Sequence, residues 1–480
     1  MRSETDSARR PPGVPWLMLA VAILVPILKL VVIDRADNPL RHSNLVEGRL
    51  AKVDVVADIT FGSEFILLGY DALPEAAVSG ERFEVRTYWR DSQPSGPDYG
   101  VTLHVVDAYG HRWEDVDTRA PRWHRTPPHA GEWPPDQYAL IALSVPLQVG
   151  APPGVYALEL VAFDRATLAP LTAHDAAGQA LGPGLAIGRL VITAPSHPPD
   201  PDDLAIESRL DLALGPLVLL DTHPDRSEAA PGDTALLTTL WQTIETPDAD
   251  LGMHVALVSA DGSVATDYAL PPAADWHPTT RWNTGDIWRG QHNLRLPAGL
   301  ESGAYHWALQ LCTADGGSCW PDEPLTLPDA LTIQAPERRY DVPTLGVQTD
   351  VRLADVATLV GADLEPVGPL AAGDTLTVTL VWRAEREMNE RYRVFLHLLG
   401  QDGSPMVQSD GEPANWSRPT TGWLPSEIVL DVRTLTVPAT APAGEYVLQA
   451  GLYRIEEGRL RTEDGADAVR LAAITVSAAP

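Results

Sequence analysis

Hydrophobic and polar residues alternate along most of the chain, and one alternating stretch occurs three times. In each copy a Gly lies nine residues before a Trp, and alternate residues between them are mostly apolar. A period of two is typical of a strand with one buried face, and the Gly indicates a turn ahead of it. Each copy therefore predicts a turn leading into a half-buried strand. The three pairs are Gly80 and Trp89, Gly232 and Trp241, and Gly373 and Trp382.

Further motifs keep constant spacing in the three copies. A second Gly follows each strand Trp by 21 residues and closes a predicted hairpin, at Gly110, Gly262 and Gly403. A Gly-x-Tyr motif then opens another alternating strand, at Tyr156, Tyr305 and Tyr446. Constant spacing in diverged copies indicates three equivalent units. Each unit has about seven predicted strands, which two packed antiparallel sheets would bury.

The N-terminal region differs, because a predominantly apolar run extends from Val14 to Ile33. Twenty residues at about 1.5 Å each give about 30 Å of helix, the thickness of a bilayer core. We therefore expect a transmembrane helix, and the Arg residues ahead of it favour a cytoplasmic N-terminus with extracytoplasmic C-terminal domains. A cleaved signal peptide is the alternative. Its apolar segment would be too long, and no small-x-small cleavage site follows Ile33.

The strand Trp followed by Gly-x-Tyr resembles fibronectin type III and related immunoglobulin-like sandwiches. The resemblance implies that the three strand tryptophans fill the cores, and that the three Gly-x-Tyr tyrosines bond upstream backbone through their hydroxyls.

The whole repeat, including Phe61-Gly62-Ser63-Glu64, is similar to the extracytoplasmic repeats of bacterial polytopic glycosyltransferases of the dolichyl-phosphate-mannose type. This sequence has one predicted span and nothing of that family's catalytic domain. The similarity therefore implies an accessory partner rather than a transferase.

The predicted fold class is all-β, with three tandem immunoglobulin-like antiparallel β-sandwiches behind one N-terminal transmembrane helix. A Pro- and Asp-rich stretch and a less rigid spacer separate the sandwiches. The predicted domains are a cytoplasmic tail (1–13), the transmembrane helix (14–33), a linker (34–60), sandwich 1 (61–194), a linker (195–209), sandwich 2 (210–335), a linker (336–350) and sandwich 3 (351–480).

Charge and cysteine content limit the partners and the metal sites that we expect for this chain. With 65 acidic and 35 basic residues, the formal charge of −30 disfavours nucleic acids and anionic lipids as partners. The only cysteines, Cys312 and Cys319, favour a disulfide that contributes about 2 kcal/mol by closing a short loop. Together with His306 they do not form a zinc signature. We predict no metal and no cofactor.

His104 and His397 occupy the same repeat position, where the middle repeat has Ala256. A repeated His could be a ligand or a base, but a locally hydrogen-bonded strand residue that Ala can replace is the simpler interpretation. The sequence contains no nucleophile elbow, zinc-protease helix or phosphate-binding Gly-rich loop, so we assign no catalytic residues.

Loop tryptophans with polar neighbours are the remaining candidates for a site. Sugar rings have apolar C–H faces that stack on exposed aromatic side chains beside hydrogen-bonding groups. The alternative is that a Trp at fixed spacing in every repeat closes the edge of its own sandwich. The predicted carbohydrate-binding residues are Trp282, Arg281, Asp286, Trp423, Trp416, Arg418, Trp123 and Trp133.

The predicted function is binding or scaffolding by a membrane-anchored protein of the cell envelope, with an envelope glycan or a membrane glycosyltransferase as its partner. One alternative is a purely structural spacer or adhesion stalk, in which the loop tryptophans would be buried. Another is a non-catalytic subunit of a glycan-assembly enzyme complex.

Overall fold

The structure, a computed structural model, describes residues 45–46, 49–50, 53–92, 96–114, 138–206, 209–455 and 457–477. Over these ranges the protein is all-β, as predicted, and its only helical segments are short 3₁₀ turns. These turns are Pro201–Asp203, Thr279–Arg281 and Thr420–Gly422. The chain divides into two compact units, residues 1–195 and 196–480.

In its described residues the first unit forms two larger sheets and a two-stranded ribbon. Its strands are β1 (Leu45–Val46), β2 (Arg49–Leu50), β3 (Val55–Phe61), β4 (Phe65–Tyr70), β5 (Ala76–Val78), β6 (Arg82–Asp91), β7 (Tyr99–Val106), β8 (Ala139–Pro146), β9 (Gly154–Asp164), β10 (Ala173–His174), β11 (Ala180–Gly182) and β12 (Leu185–Thr193). One sheet has the order β11-β10-β3-β4-β6-β8 and the other β5-β12-β9-β7, while β1 and β2 form a separate ribbon.

The second unit begins with what we call the middle sheet pair. Its strands are β13 (Leu212–Leu214), β14 (Leu217–Pro224), β15 (Glu228–Ala229), β16 (Thr234–Thr243), β17 (Leu251–Ser259), β18 (Val264–Leu270), β19 (Ile287–Arg295), β20 (Gly303–Thr313) and β21 (Cys319–Ile333). The sheet orders are β13-β14-β16-β19 and β15-β21-β20-β17-β18.

The C-terminal sheet pair completes this unit. Its strands are β22 (Val347–Leu353), β23 (Ala357–Glu365), β24 (Leu370–Ala371), β25 (Thr375–Ala384), β26 (Arg393–Leu399), β27 (Pro405–Gly411), β28 (Ile428–Thr436), β29 (Gly444–Arg454), β30 (Gly458–Arg459) and β31 (Val469–Ser477). The orders are β22-β23-β25-β28 and β24-β31-β29-β26-β27, and β30 pairs with β29.

The same topology recurs in each sheet pair. One short edge strand pairs in parallel with the last long strand, as β5 does with β12, β15 with β21 and β24 with β31. The other described pairings are antiparallel. In the second unit, residues from both sheets of a pair contribute to one buried cluster. Two sheets that share one core are consistent with β-sandwiches.

The strand tryptophans lie in these cores. Trp89, Trp241 and Trp382 are fully buried, which confirms the prediction made from the alternating pattern. Replacing such a side chain with Ala typically costs about 3–5 kcal/mol, because both transferred surface and packing are lost. The recurrent Gly-to-Trp stretch is therefore explained by core packing.

The Gly-x-Tyr tyrosines make the predicted backbone contact. The hydroxyls of Tyr156, Tyr305 and Tyr446 each donate to the carbonyl four residues upstream, at 2.7, 3.2 and 2.8 Å. Each ring is buried while its hydroxyl is satisfied, which suits tyrosine at the corner of a sheet pair.

The disulfide prediction is confirmed. Cys312 on β20 and Cys319 on β21 face each other across the antiparallel ladder and are bonded, with an S–S distance of 2.10 Å. Since both cysteines are used, this site offers no thiolate ligand to a metal.

Two predicted linkers contain sheet strands. Strand β3 begins at Val55 and β22 at Val347, inside the predicted linkers 34–60 and 336–350. Acidic residues interrupt both alternating patterns, and Asp58 and Asp350 have positive φ at irregularities in the pairing. The first-unit boundary at residues 195 and 196 does fall at the predicted Pro-rich linker.

The predicted membrane anchor needs correction. Within the described residues, no helix is both long and apolar enough to cross a bilayer. The predicted span, residues 14–33, and the predicted tail, residues 1–13, lie outside the described residues. The single-pass localisation inferred from the sequence is therefore not supported.

Backbone contact between two glycines joins the sheet pairs of the second unit. Gly232, in the turn before β16, lies against Gly422 in the loop before β28. A Cβ on Gly232 would lie 2.3 Å from the Gly422 nitrogen, and one on Gly422 would lie 2.4 Å from the Pro231 oxygen. Neither position can take a side chain without movement of the backbone.

A buried carboxylate reinforces this junction. Glu427 is fully buried and accepts from Arg338 at 2.5 Å and from Arg418 at 2.6 Å. The second Nη of Arg338 donates to the Ala298 carbonyl of the middle sheet pair. A buried charge with two guanidinium partners is costly to separate, so the predicted linker 336–350 does not divide the second unit.

Candidate functional site

The two repeated loop tryptophans are not exposed. Trp282 and Trp423 have no solvent-accessible surface, and each indole N–H donates to a carbonyl five residues upstream, at 3.1 and 3.0 Å. A sugar platform must present its ring face to solvent. The prediction that these two rings stack on carbohydrate is therefore wrong, and they close the cores of their sheet pairs.

Threonines explain why both loops turn the Trp inward. Thr279 and Thr420 each begin a 3₁₀ turn, and their hydroxyl oxygens accept from the backbone amides of Leu251 and Tyr392, both at 2.9 Å. These contacts fix the Pro-Thr-Thr motif to the preceding strand region, so the following Trp points into the core.

The other predicted residues do not converge on one site. Arg281 is exposed beside the buried Trp282, and Asp286 accepts from the backbone and side chain of Asn283 within its own turn. Arg418 is engaged with Glu427. Trp123 and Trp133 lie outside the described residues.

Trp416 alone among the described predicted tryptophans is exposed, at 54% of its surface. It lies in the loop between β27 and β28, residues 411–418, which we call the Trp416 loop. Ala414, Asn415 and Trp416 have φ values of 50°, 53° and 70°, so three consecutive non-Gly residues adopt the left-handed conformation. Each such residue costs roughly 1 kcal/mol or more, and such backbone persists only where its surroundings hold it.

A buried ion pair beneath the loop holds this backbone. Asp431 accepts from the Ala414 amide at 2.8 Å and from Arg433 Nε at 2.7 Å. The Arg433 Nη atoms donate to the carbonyls of Ser409, Gly411 and Glu412 at 3.0–3.2 Å. One guanidinium thus bonds four acceptors along the base of the loop.

Burial raises the pKa of the Asp431 carboxyl above its ordinary value, and the Arg433 guanidinium lowers it in part. The alternation of β28 offers a signal that the sequence interpretation missed. Positions 431 and 433 lie on the same face as the buried Val429 and Leu435, where apolar residues are expected. Charged residues on the core-facing side of a strand indicate a buried network of hydrogen-bonded polar groups.

Arg393, at the start of β26, adjoins the exposed indole. Its Cζ lies 5.2 Å from the centroid of the Trp416 ring, and in the described part of the chain its guanidinium forms no ion pair. The side chains of Asn415 and Ser417 are exposed next to Trp416. The Trp416 loop thus presents an aromatic face, an amide, a hydroxyl and a guanidinium in one place.

The repeated histidines have local carboxylate partners. His104 Nδ1 lies 2.6 Å from Glu114, and His397 Nε2 lies 3.0 Å from Asp410. Both rings are nearly buried. These contacts support the interpretation of locally hydrogen-bonded strand residues. Across the described ranges, no group of three or more His, Cys, Asp or Glu side chains is arranged to hold a metal ion.

No protein-family model matches the chain, and no curated protein matches it in sequence.

Proposed function

We propose that the protein is a carbohydrate-binding protein built from three immunoglobulin-like sandwiches, and that Trp416 is the stacking residue of its site. The observation that supports this is an exposed Trp on three consecutive left-handed residues, held by the buried Asp431–Arg433 pair. Backbone held in costly conformations is concentrated at functional sites.

The chemistry of the loop favours a sugar. An indole offers a flat apolar surface to the C–H face of a pyranose, and the neighbouring amide, hydroxyl and guanidinium suit its hydroxyl groups. The buried Trp282 and Trp423 have no part in this site, because Trp416 itself supplies the exposed ring.

Binding of the full chain to a glycan array tests this proposal. We expect Trp416→Ala to weaken binding of any recognised glycan by about tenfold, because roughly 60 Å² of apolar surface buried on the ring at about 25 cal/mol per Å² contributes about 1.5 kcal/mol. Tyr340→Ala is the matched control, since Tyr340 has the same exposed fraction of 54% but lies outside the loop. Binding that survives Trp416→Ala would place the site elsewhere, and an array without any bound glycan would contradict the proposal.

A structural spacer is the second candidate, favoured by the junction in the second unit. The Gly232–Gly422 contact and the buried Glu427 fix two sheet pairs in one compact unit, as a scaffold requires. This role would leave the Trp416 loop unexplained, since a spacer needs no exposed Trp on costly backbone.

A further inference from the structure

Two guanidinium groups lie over aromatic rings near one edge of the C-terminal sheet pair. Arg393 lies over Trp416, and the Cζ of Arg459 is 4.1 Å from the centroid of Phe395. Arg393 and Phe395 lie on the side of β26 opposite the core-facing Val394, two residues apart, which corresponds to about 7 Å along a strand. Phe395 is buried, with Arg459 over its ring. The two ring-backed guanidiniums are therefore neighbours on one surface.

A guanidinium that contacts a ring through its face keeps its in-plane N–H donors available. These donors form a planar fork that matches the two oxygens of a carboxylate. Arg459 has a long contact of 3.7 Å to Asp467 and one Nη atom 3.3 Å from Nδ1 of His397, while Arg393 has no carboxylate partner within the described ranges. Arg393 can therefore donate to an acidic group of a ligand, and Arg459 adds a second positive charge beside it.

The middle repeat lacks this arrangement. With the repeats aligned on Trp241 and Trp382, the middle repeat has Gly252 where the C-terminal one has Arg393, and Asp275 in place of Trp416. A groove of about 600 Å³ lies at Gly252 instead. Since the middle sheet pair forms without the Arg–Trp pair, the fold does not require it.

Local contacts decide whether an anion can bind to so acidic a protein. The chain has a formal charge of −30, which disfavours anions at long range. Screening at physiological salt limits that repulsion to about 8 Å, whereas a direct guanidinium–carboxylate contact is little screened.

We infer that the Trp416 site takes an acidic sugar, a uronic acid whose carboxylate pairs with Arg393 while its C–H face lies on Trp416. This inference rests on the proposed function and adds the ligand class. Arg459 provides a second cation for the adjacent acidic residue of an oligosaccharide.

Calorimetric titration of the full chain with oligogalacturonate and with its fully methyl-esterified form separates sugar stacking from acid recognition. The two probes share the sugar and the linkage and differ in charge. We expect the free acid to bind about tenfold more tightly than the ester, because a charge-assisted bidentate contact is lost on esterification.

Three variants assign the preference to residues. Arg393→Gln should bring the affinities for the free acid and for the ester to the same value, which removes the acid preference. Arg393→Lys should keep part of the preference, since it retains charge without the planar fork. Trp416→Ala should weaken binding of both probes.

The outcomes distinguish this inference from the proposed function. If both probes bind equally and Trp416→Ala weakens both, acid recognition is wrong and sugar binding at the loop stands. If the acid preference persists in Arg393→Gln, another residue supplies it and the inference fails. If neither probe binds, the uronic-acid inference is overturned, and the glycan array decides the broader proposal.

Discussion

His277 is an uncharged ring inside the middle sheet pair. It is 8% exposed and lies between two tryptophans, with ring centroids 6.1 Å from Trp282 and 4.7 Å from Trp288. Burial lowers the pKa of His277 to about 4, Asp286 opposes this shift, and Arg281 adds a smaller lowering. The fold therefore accepts this ring only in its neutral form near pH 7.

The lowered pKa predicts a pH dependence of stability. The unfolded state binds a proton at a pKa of about 6.5, whereas the folded state does so only near 4. His277 thus favours the unfolded state increasingly as the pH falls from 6.5 towards 4, and has no such effect above 6.5. We expect His277→Phe to remove on the order of 2 kcal/mol of acid destabilisation by pH 4.

Urea unfolding of the full chain between pH 4 and pH 7.5 measures this effect. His306→Gln is the control, because His306 is exposed on the same sheet pair and its loss should leave the pH profile in place. Parallel profiles for His277→Phe and wild type would show that the buried ring does not titrate as expected.

At the residue scale, the sequence predicted that the strand tryptophans are buried, but it did not predict which loop tryptophans are buried and which are exposed. Trp382 follows an alternating strand, so its burial follows from its neighbours. Trp423 follows Pro-Thr-Thr-Gly, where no periodicity indicates a direction, and the Thr420 hydroxyl bond decides it. The exposure of Trp416 depends on Arg433, 17 residues later, which no local pattern reveals.

At the scale of elements, the Cys312–Cys319 bond ties the β20–β21 hairpin, whose cysteines are separated by seven positions. Cross-linking so short a loop removes limited entropy from the unfolded chain. We expect Cys312→Ala with Cys319→Ala to lower the free energy of unfolding of the second unit by about 2 kcal/mol.

A reducing agent provides the internal check on that value. It should shift the urea midpoint of the wild type towards that of the double variant and leave the variant unchanged. A shift of the variant on reduction would indicate an effect unrelated to this disulfide.

Strand positions were largely predictable because alternation, turn glycines and repeat spacing all indicated the same elements. The residues at which the strands begin and end were not predictable from these signals. Strands β3 and β22 begin inside segments that were predicted as linkers, since Asp58 and Asp350 break the alternation where the ladders are irregular. Such irregularities are set by pairing with a partner strand and leave no periodic signal.

At the scale of the whole molecule, the close backbone contact predicts how the second unit unfolds. Gly422→Arg introduces the residue found at the equivalent position of the middle repeat, Arg281, and must displace the Pro231–Gly232 turn. Loss of the contact would expose Glu427 and its guanidinium partners. Breaking a buried ion pair typically costs 3–5 kcal/mol.

Scanning calorimetry of the full chain should therefore resolve an additional transition in Gly422→Arg, because the two sheet pairs of the second unit would unfold separately. The reciprocal Arg281→Gly is the matched control and should leave the thermogram nearly unchanged, since Arg281 is exposed. Identical thermograms for Gly422→Arg and wild type would contradict the coupling.

The Gly232–Gly422 contact also makes the order of the repeats matter. A chain assembled by copying the middle repeat would place an Arg, not a Gly, against the preceding turn, and its modules could not stack at this separation. Duplication of the middle repeat would therefore produce sheet pairs that do not pack against each other until this Arg was replaced by Gly. Within the second unit, the Gly after Pro-Thr-Thr thus allows the C-terminal sheet pair to pack against the turn of the middle one.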